Sequence, residues 1–254
     1  MPPNTQLTED RFSQVSQAAR RNIRTALDLI AIHSEQPVRG PQPRSSLNPF
    51  TVLAAVGAWE RLIADLTSAA SQTNWRGPGG HKTTGAHWPS AVDAHMISHQ
   101  LLAAPLTSRW EAAFPARWKG ITPLGWTTVR QTSPAADRDK LLAYITASRR
   151  ARNAAAHYAL VENASAAAQD MDSEGWYPWQ SDAHKPSLPA GFARGLAAVY
   201  LQLIDCTIDF VAHERNWDAG AHRPPADWFR SRCRESRYDG VALWAGTSLH
   251  RVSA

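Results

Sequence analysis

The chain has 254 residues, enough for one large or two small domains, and its 43% hydrophobic and 19% charged residues are those of an ordinary globular protein. Its formal charge of +5 rests on an unusual basic set, in which 23 of 27 Lys and Arg residues are Arg. Planar guanidinium groups pair bidentately with phosphates and stack on rings, so this bias suits a polyanion such as nucleic acid, although GC-rich coding produces the same bias. Two cysteines, Cys206 and Cys233, make no disulfide framework and point to a reduced, cytoplasmic setting. The start MPPNTQLTED lacks a basic segment followed by an apolar run, and no stretch approaches eighteen consecutive apolar residues. Neither a signal peptide nor a membrane span is therefore expected.

The helical period dominates from the N-terminus onward. Thr8 followed by Glu9 and Asp10 has the form of a helix start, and apolar residues at Phe12, Val15, Ala19, Ile23, Ala26, Leu27 and Ile30 continue one face to about Ser34. A QPVRGPQPRSS loop interrupts the pattern. Asn48 before Pro49 predicts a cap with proline at the first helical position, opening an apolar helix to about Ala70. Residues 71–88 are Gly-rich and read as a loop. Helices are expected at 90–102 and 108–118, mostly loop at 120–133, and a long helix from about Ala135 to Val161. A loop with Trp176, Pro178 and Trp179 leads to a last long helix at about 190–217, and an irregular Arg- and Trp-rich tail follows from Asp218. The expected architecture is all-α, a bundle of about four to five main helices. It divides into an N-terminal helical extension with its linker (1–47), the bundle (48–217) and a tail packing on the bundle (218–254).

One segment of the fourth long helix carries chemistry: Arg152-Asn153-Ala154-Ala155-Ala156-His157. At about 100° per residue, Leu142, Ile145, Arg149, Arg152, Asn153, Ala156 and Leu160 share a face, with His157 at its edge about 140° from Arg152. The alanines allow close approach of a large ligand. Arginines on an apolar face need partners or a wet cleft. The spacing alone is weak, because Arg76 and His81 repeat it across a Gly-rich loop that cannot be helical.

The Arg-Asn-x-x-x-His sequence, with an apolar helix upstream and another downstream, resembles the HEPN superfamily. That resemblance implies a helical bundle, commonly dimeric, and metal-independent cleavage of RNA by toxins or antiphage-defence effectors. It assigns Arg152 and His157 as catalytic, with Asn153 as their polar partner and no cofactor. A restraining antitoxin or defence partner is implied as well. Some members carry a modifiable tyrosine two positions after the histidine; here Ala159 stands there and Tyr158 adjoins His157.

The implied reaction is attack of a ribose 2′-hydroxyl on its own phosphate. It needs a base titrating near neutrality, which imidazole supplies, and a cation on the developing phosphorane charge, which guanidinium supplies. Arg149 and Tyr158 are expected to contact the substrate. The opposing reading is structural: Arg149 and Arg152 pair with acids such as Asp65 or Glu60, and His157 caps a helix end. The competing functional class is a non-catalytic interaction, sensing or nucleotide-binding module.

Other candidates carry less. His95 and His99, four apart with Asp93 nearby and His81 and His87 upstream, could share a metal, but no Glu follows His95 as in the metalloprotease signature. Gly77-Pro78-Gly79-Gly80-His81-Lys82-Thr83 has the glycines of a phosphate loop, yet no strand precedes it and His81 interrupts the Gly-Lys-Thr run. The tail interleaves Trp217, Trp228, Phe229, Tyr238 and Trp244 with Arg223, Arg230, Arg232, Arg234 and Arg237. That pattern fits stacking on single-stranded RNA, but it fits better a tail whose rings pack inward and whose arginines stay solvated.

Overall fold

The computed structural model describes residues 6–35, 44–80, 148, 152, 155, 156, 180–182, 185–187, 190–230, 238, 240–244, 248, 249 and 251. Three long helices, α1 (Glu9–Glu35), α2 (Arg44–Ser71) and α3 (Ala190–Glu214), supply most of the order among them. A short helix, α4 (Ala219–His222), and a 3-10 turn (Ala226–Phe229) follow α3. The architecture is all-α, with one small antiparallel ribbon among the described residues, β1 (Gln180–Asp182) and β2 (Lys185–Ser187), in which Gln180 stands opposite Ser187 and Asp182 opposite Lys185. The sequence reading has this stretch as loop. Three-residue strands are too short to leave an alternation that a sequence pattern can register.

α1 starts as its sequence indicates. The Thr8 hydroxyl accepts from the Arg11 amide at 3.3 Å and the Thr8 carbonyl from the Phe12 amide at 2.9 Å, so Thr8 is the N-cap. Glu9 and Asp10 in the first turn and His33 in the last complement the helix dipole. Phe12, Val15, Ala19, Ile23, Ala26, Leu27 and Ile30 are all buried, and this face joins the core shared with α2 and α3. The N-terminal helix is thus built into the main core. Burying each large side chain of this set stabilises by roughly 1.5–3 kcal/mol.

α2 departs from expectation at its start. It begins at Arg44, not at Asn48, and Pro49 lies inside it. Pro49 is the sixth residue of the helix, past the four amides that lack an intrahelical acceptor, so it removes one i to i−4 hydrogen bond from the second turn. Asn48 is buried instead of standing at the boundary. At the other end Arg11 reaches across from α1. Its guanidinium donates to the carbonyls of Ala69 at 3.0 Å, Gln72 at 2.8 Å and Thr73 at 2.9 Å, and it lies 5.7 Å from the centroid of the Trp75 ring. A side chain of one helix thereby satisfies the terminal carbonyls of the next.

α3 is the central helix. Every residue from Phe192 to Ala212 except Arg194 is buried. A helix apolar on all sides belongs inside a core. Among the described residues it alone is long and apolar enough to cross a membrane, and that apolar stretch is wholly buried within the protein. It meets α2 through Trp59, whose indole N–H donates to the Thr207 hydroxyl at 3.3 Å and whose ring lies edge-on to Tyr200 at 5.8 Å. α3 stops at Glu214, short of the expected Trp217. Asn216 takes φ 56°, its amide donates to the His213 carbonyl and the Trp217 amide to that of Ala212. This is the Schellman pattern, with Asn in the left-handed position that glycine most often takes.

Beyond α3 the chain folds back on the bundle. Trp228, Phe229, Tyr238, Leu243, Trp244 and Leu249 are buried in the same core. The Trp244 indole N–H donates to the Trp228 carbonyl at 2.6 Å, and the Tyr238 hydroxyl to Asp28 of α1 at 2.5 Å.

Candidate functional site

Four residues of the expected 135–161 helix are described, Ser148, Arg152, Ala155 and Ala156, and all are helical. Ser148 and Ala155 are buried while Ala156 is exposed. The face with Ser148, Arg152 and Ala155, at spacings of four and three, is therefore the one turned inward. Ala156, expected on the same face as Arg152, lies on the solvent side of it.

Arg152 sits at the rim, with 27% of its side chain exposed. Its Nη2 donates to both carboxylate oxygens of Glu60 on α2, each at 2.7 Å. Glu60 is more deeply placed, at 11% exposure. Of the two acids named as possible partners, Glu60 is the one used. Asp65 is engaged elsewhere, accepting from Arg61 Nε at 3.2 Å and from the Gly79 amide at 3.0 Å. The Arg152–Glu60 contact uses one nitrogen of the fork, not two in parallel. The buried Nε has no hydrogen-bond partner, and among the described residues Nη1 makes none. A guanidinium so held is fixed in direction by the carboxylate while part of its side chain stays exposed at the rim.

The other proposed site residues, Arg149, Asn153, His157 and Tyr158, lie outside the described residues. So do His81, His87, Asp93, His95 and His99. Among the described residues no group of three or more His, Cys, Asp or Glu side chains could hold a metal ion.

The glycine loop is described as far as Gly80. Gly77 and Gly79 adopt φ +97° and +81°, and the Gly80 amide closes a turn onto the Gly77 carbonyl at 3.1 Å. Gly79 donates its amide to Asp65, and a Cβ at that position would run into the Arg61 guanidinium. The turn packs against the protein's own carboxylate. This occupies a donor that a phosphate cradle would need, and it agrees with the missing strand and the interrupted motif.

The tail arginines are not uniformly solvated. Arg223 places Nε and Nη2 on Asp205 at 2.8 and 2.5 Å and Nη1 on Asp209 at 2.8 Å. Arg251 adds Nη2 on Asp205 at 3.1 Å and on the Pro224 carbonyl at 2.8 Å. Burial by itself lowers the Arg223 pKa. The hydrogen bond and charge of Asp205, with the charge of Asp209, outweigh it and raise the pKa above the ordinary value. Two acids four residues apart on an otherwise apolar helix were the available signal, since buried carboxylates need cations. Arg230 does match the solvated expectation, half-exposed and paired with Asp227 at 3.1 Å.

Comparison of the chain with protein-family models, with curated proteins and with solved structures finds no match.

Proposed function

We propose that the chain is a metal-independent endoribonuclease of toxin or antiphage-defence type, cytoplasmic and acting as a homodimer, in keeping with its resemblance to the HEPN superfamily. The observation that supports this reading is the state of Arg152: helical, at the rim of the packed helices, partly exposed and fixed through one nitrogen by Glu60. Such a group meets a phosphate without first reorganising, which is the property that makes fixed donors effective on developing charge.

In this mechanism His157 takes the proton from the ribose 2′-hydroxyl as the 2′-oxygen attacks phosphorus. Arg152 offsets the charge on the non-bridging oxygens. The P–O5′ bond breaks, the proton passes to the departing 5′-oxygen, and the products are a 2′,3′-cyclic phosphate and a 5′-hydroxyl end. Asn153 holds the local geometry, while Arg149 and Tyr158 contact the RNA. Two copies of the motif at one groove form the composite site, and a partner protein restrains it.

A second reading has one specific observation in its favour. Glu60 neutralises Arg152, which weakens the attraction for a phosphate and suits a helical interaction or sensing module. Expression in cells separates the two. The nuclease arrests growth, and Arg152→Ala and His157→Ala each relieve the arrest. The interaction module shows no such paired effect.

A further inference from the structure

Away from Arg152, the end of α1, Arg194 of α3 and tail residues 240–242 line an open cleft of about 510 Å³. That volume falls within the roughly 300–1,000 Å³ typical of small-molecule sites. His33, Ser34, Glu35 and Arg194 form its polar wall. His33 and Arg194 also border a hollow of about 10 Å³ reaching inward to Asn48 and Thr51, both buried. Such a hollow is about the size that admits one water.

The wall has a definite polarity. Arg194 is half-buried and held by a 3.0 Å hydrogen bond from Nη2 to the Ser34 hydroxyl, which itself donates to the Ile30 carbonyl at 2.8 Å. Ala190, the first residue of α3, lines the hollow, and the first turn of α3 carries no acidic side chain to offset the positive end of its dipole. In the cleft the Arg194 guanidinium and the His33 imidazole supply donors for an anion, while the helix end lines the adjoining hollow. Glu35 is the one carboxylate among the lining residues and an acceptor for hydroxyl donors. The space is far larger than a phosphate ion needs.

We propose that this cleft binds a small organic phosphate of mononucleotide or pentose-phosphate size, its phosphate on Arg194 and His33 and its hydroxyl groups toward Glu35. This site is made from α1, α3 and the tail, and it is independent of the ribonuclease reading.

The test uses the full chain, with thermal unfolding and titration calorimetry against AMP, ribose 5-phosphate, adenosine and inorganic phosphate. AMP and ribose 5-phosphate raise the unfolding temperature by mass action, inorganic phosphate binds more weakly, and adenosine has no effect. Arg194→Gln weakens AMP binding about tenfold or more, as expected for loss of a charged donor pair. Ala242→Trp fills the cleft from an exposed tail position and abolishes binding while leaving the unliganded unfolding temperature in place. Arg152→Ala leaves AMP binding unchanged, which separates this site from the proposed nuclease centre. The proposal is overturned by the absence of any shift with the organic phosphates at millimolar concentration, by equal affinity for inorganic phosphate, or by binding that survives Ala242→Trp.

Discussion

Arg152 donates to Glu60 from a single guanidinium nitrogen, with both carboxylate oxygens 2.7 Å from Nη2 and the buried Nε left without a partner. Glu60 therefore sets where Arg152 points without using up its donors. Glu60→Gln keeps the shape and removes the charge. The expected loss is about 1–2 kcal/mol of stability in urea unfolding, the size of a hydrogen bond to a charged group. Under the proposed ribonuclease function, RNA cleavage slows by about tenfold through kcat, equivalent to about 1.4 kcal/mol, with KM little changed. A purely structural pair would lower stability and leave the pattern of kcat and KM in the folded fraction unchanged.

The buried acids of α3 hold the returning chain. Asp205 takes contacts from both Arg223 and Arg251, at 1% exposure for its own side chain. Asp205→Ala removes the shared anion, leaving Arg251 without its carboxylate and Arg223 with Asp209 alone. Breaking a buried pair in this way costs about 3–5 kcal/mol. The half-exposed Arg230–Asp227 pair provides the contrast, since surface ion pairs contribute about 0–1 kcal/mol. Denaturant midpoints of Asp205→Ala and Asp227→Ala should therefore differ widely.

Tyr238 predicts a response to alkali. Burial, reinforced by the hydrogen bond to Asp28 and its charge, raises the Tyr238 pKa well above its ordinary value of 10.0. The protonated phenol thus contributes stability that is fully present below pH 10 and is lost as the pH rises beyond it, because the unfolded chain then releases a proton that the fold retains. Tyr238→Phe should be less stable by about 1–2 kcal/mol at neutral pH. Above pH 10 its stability should fall less steeply than that of the unaltered protein. Urea unfolding at pH 7, 9 and 10.5 measures both effects.

Arg11 ties the start of α1 to the end of α2. Arg11→Met keeps much of the aliphatic length and deletes the donors to Ala69, Gln72 and Thr73. A loss of about 1–3 kcal/mol is expected, with faster amide exchange in the last turn of α2 and a shifted Trp75 emission as the cation leaves its ring.

The long helices were legible because their signals are local and repeated. Thr8 with two acids opens α1, and seven apolar residues at helical spacing fix its buried face. α3 was legible for the opposite reason, since a helix apolar on nearly all sides has only the core to occupy. The failures lie where tertiary context overrides a local cue. Asn48-Pro49 is a good start signal, but α2 begins one turn earlier. The ribbon at 180–187 is too short to signal itself. Asn216 ends α3 by taking a left-handed conformation that its residue type permits but does not demand. At the site, the sequence left Arg152 needing either a partner or a wet cleft, with Asp65 and Glu60 as candidate partners. Choosing between them required the positions of Arg61 and Gly79, which claim Asp65. The cleft at His33 and Arg194 left no trace in the sequence, because its walls come from α1, α3 and the tail, segments far apart in the chain.

The proposed function requires one arginine and one histidine, five residues apart, to cleave RNA. It is tested by the chemistry of the ends left on a defined RNA by the purified protein, with and without EDTA. The expected ends are 2′,3′-cyclic phosphate and 5′-hydroxyl, undiminished by EDTA and absent with both Arg152→Ala and His157→Ala. Uncut RNA, or cleavage that persists in either variant, would contradict it.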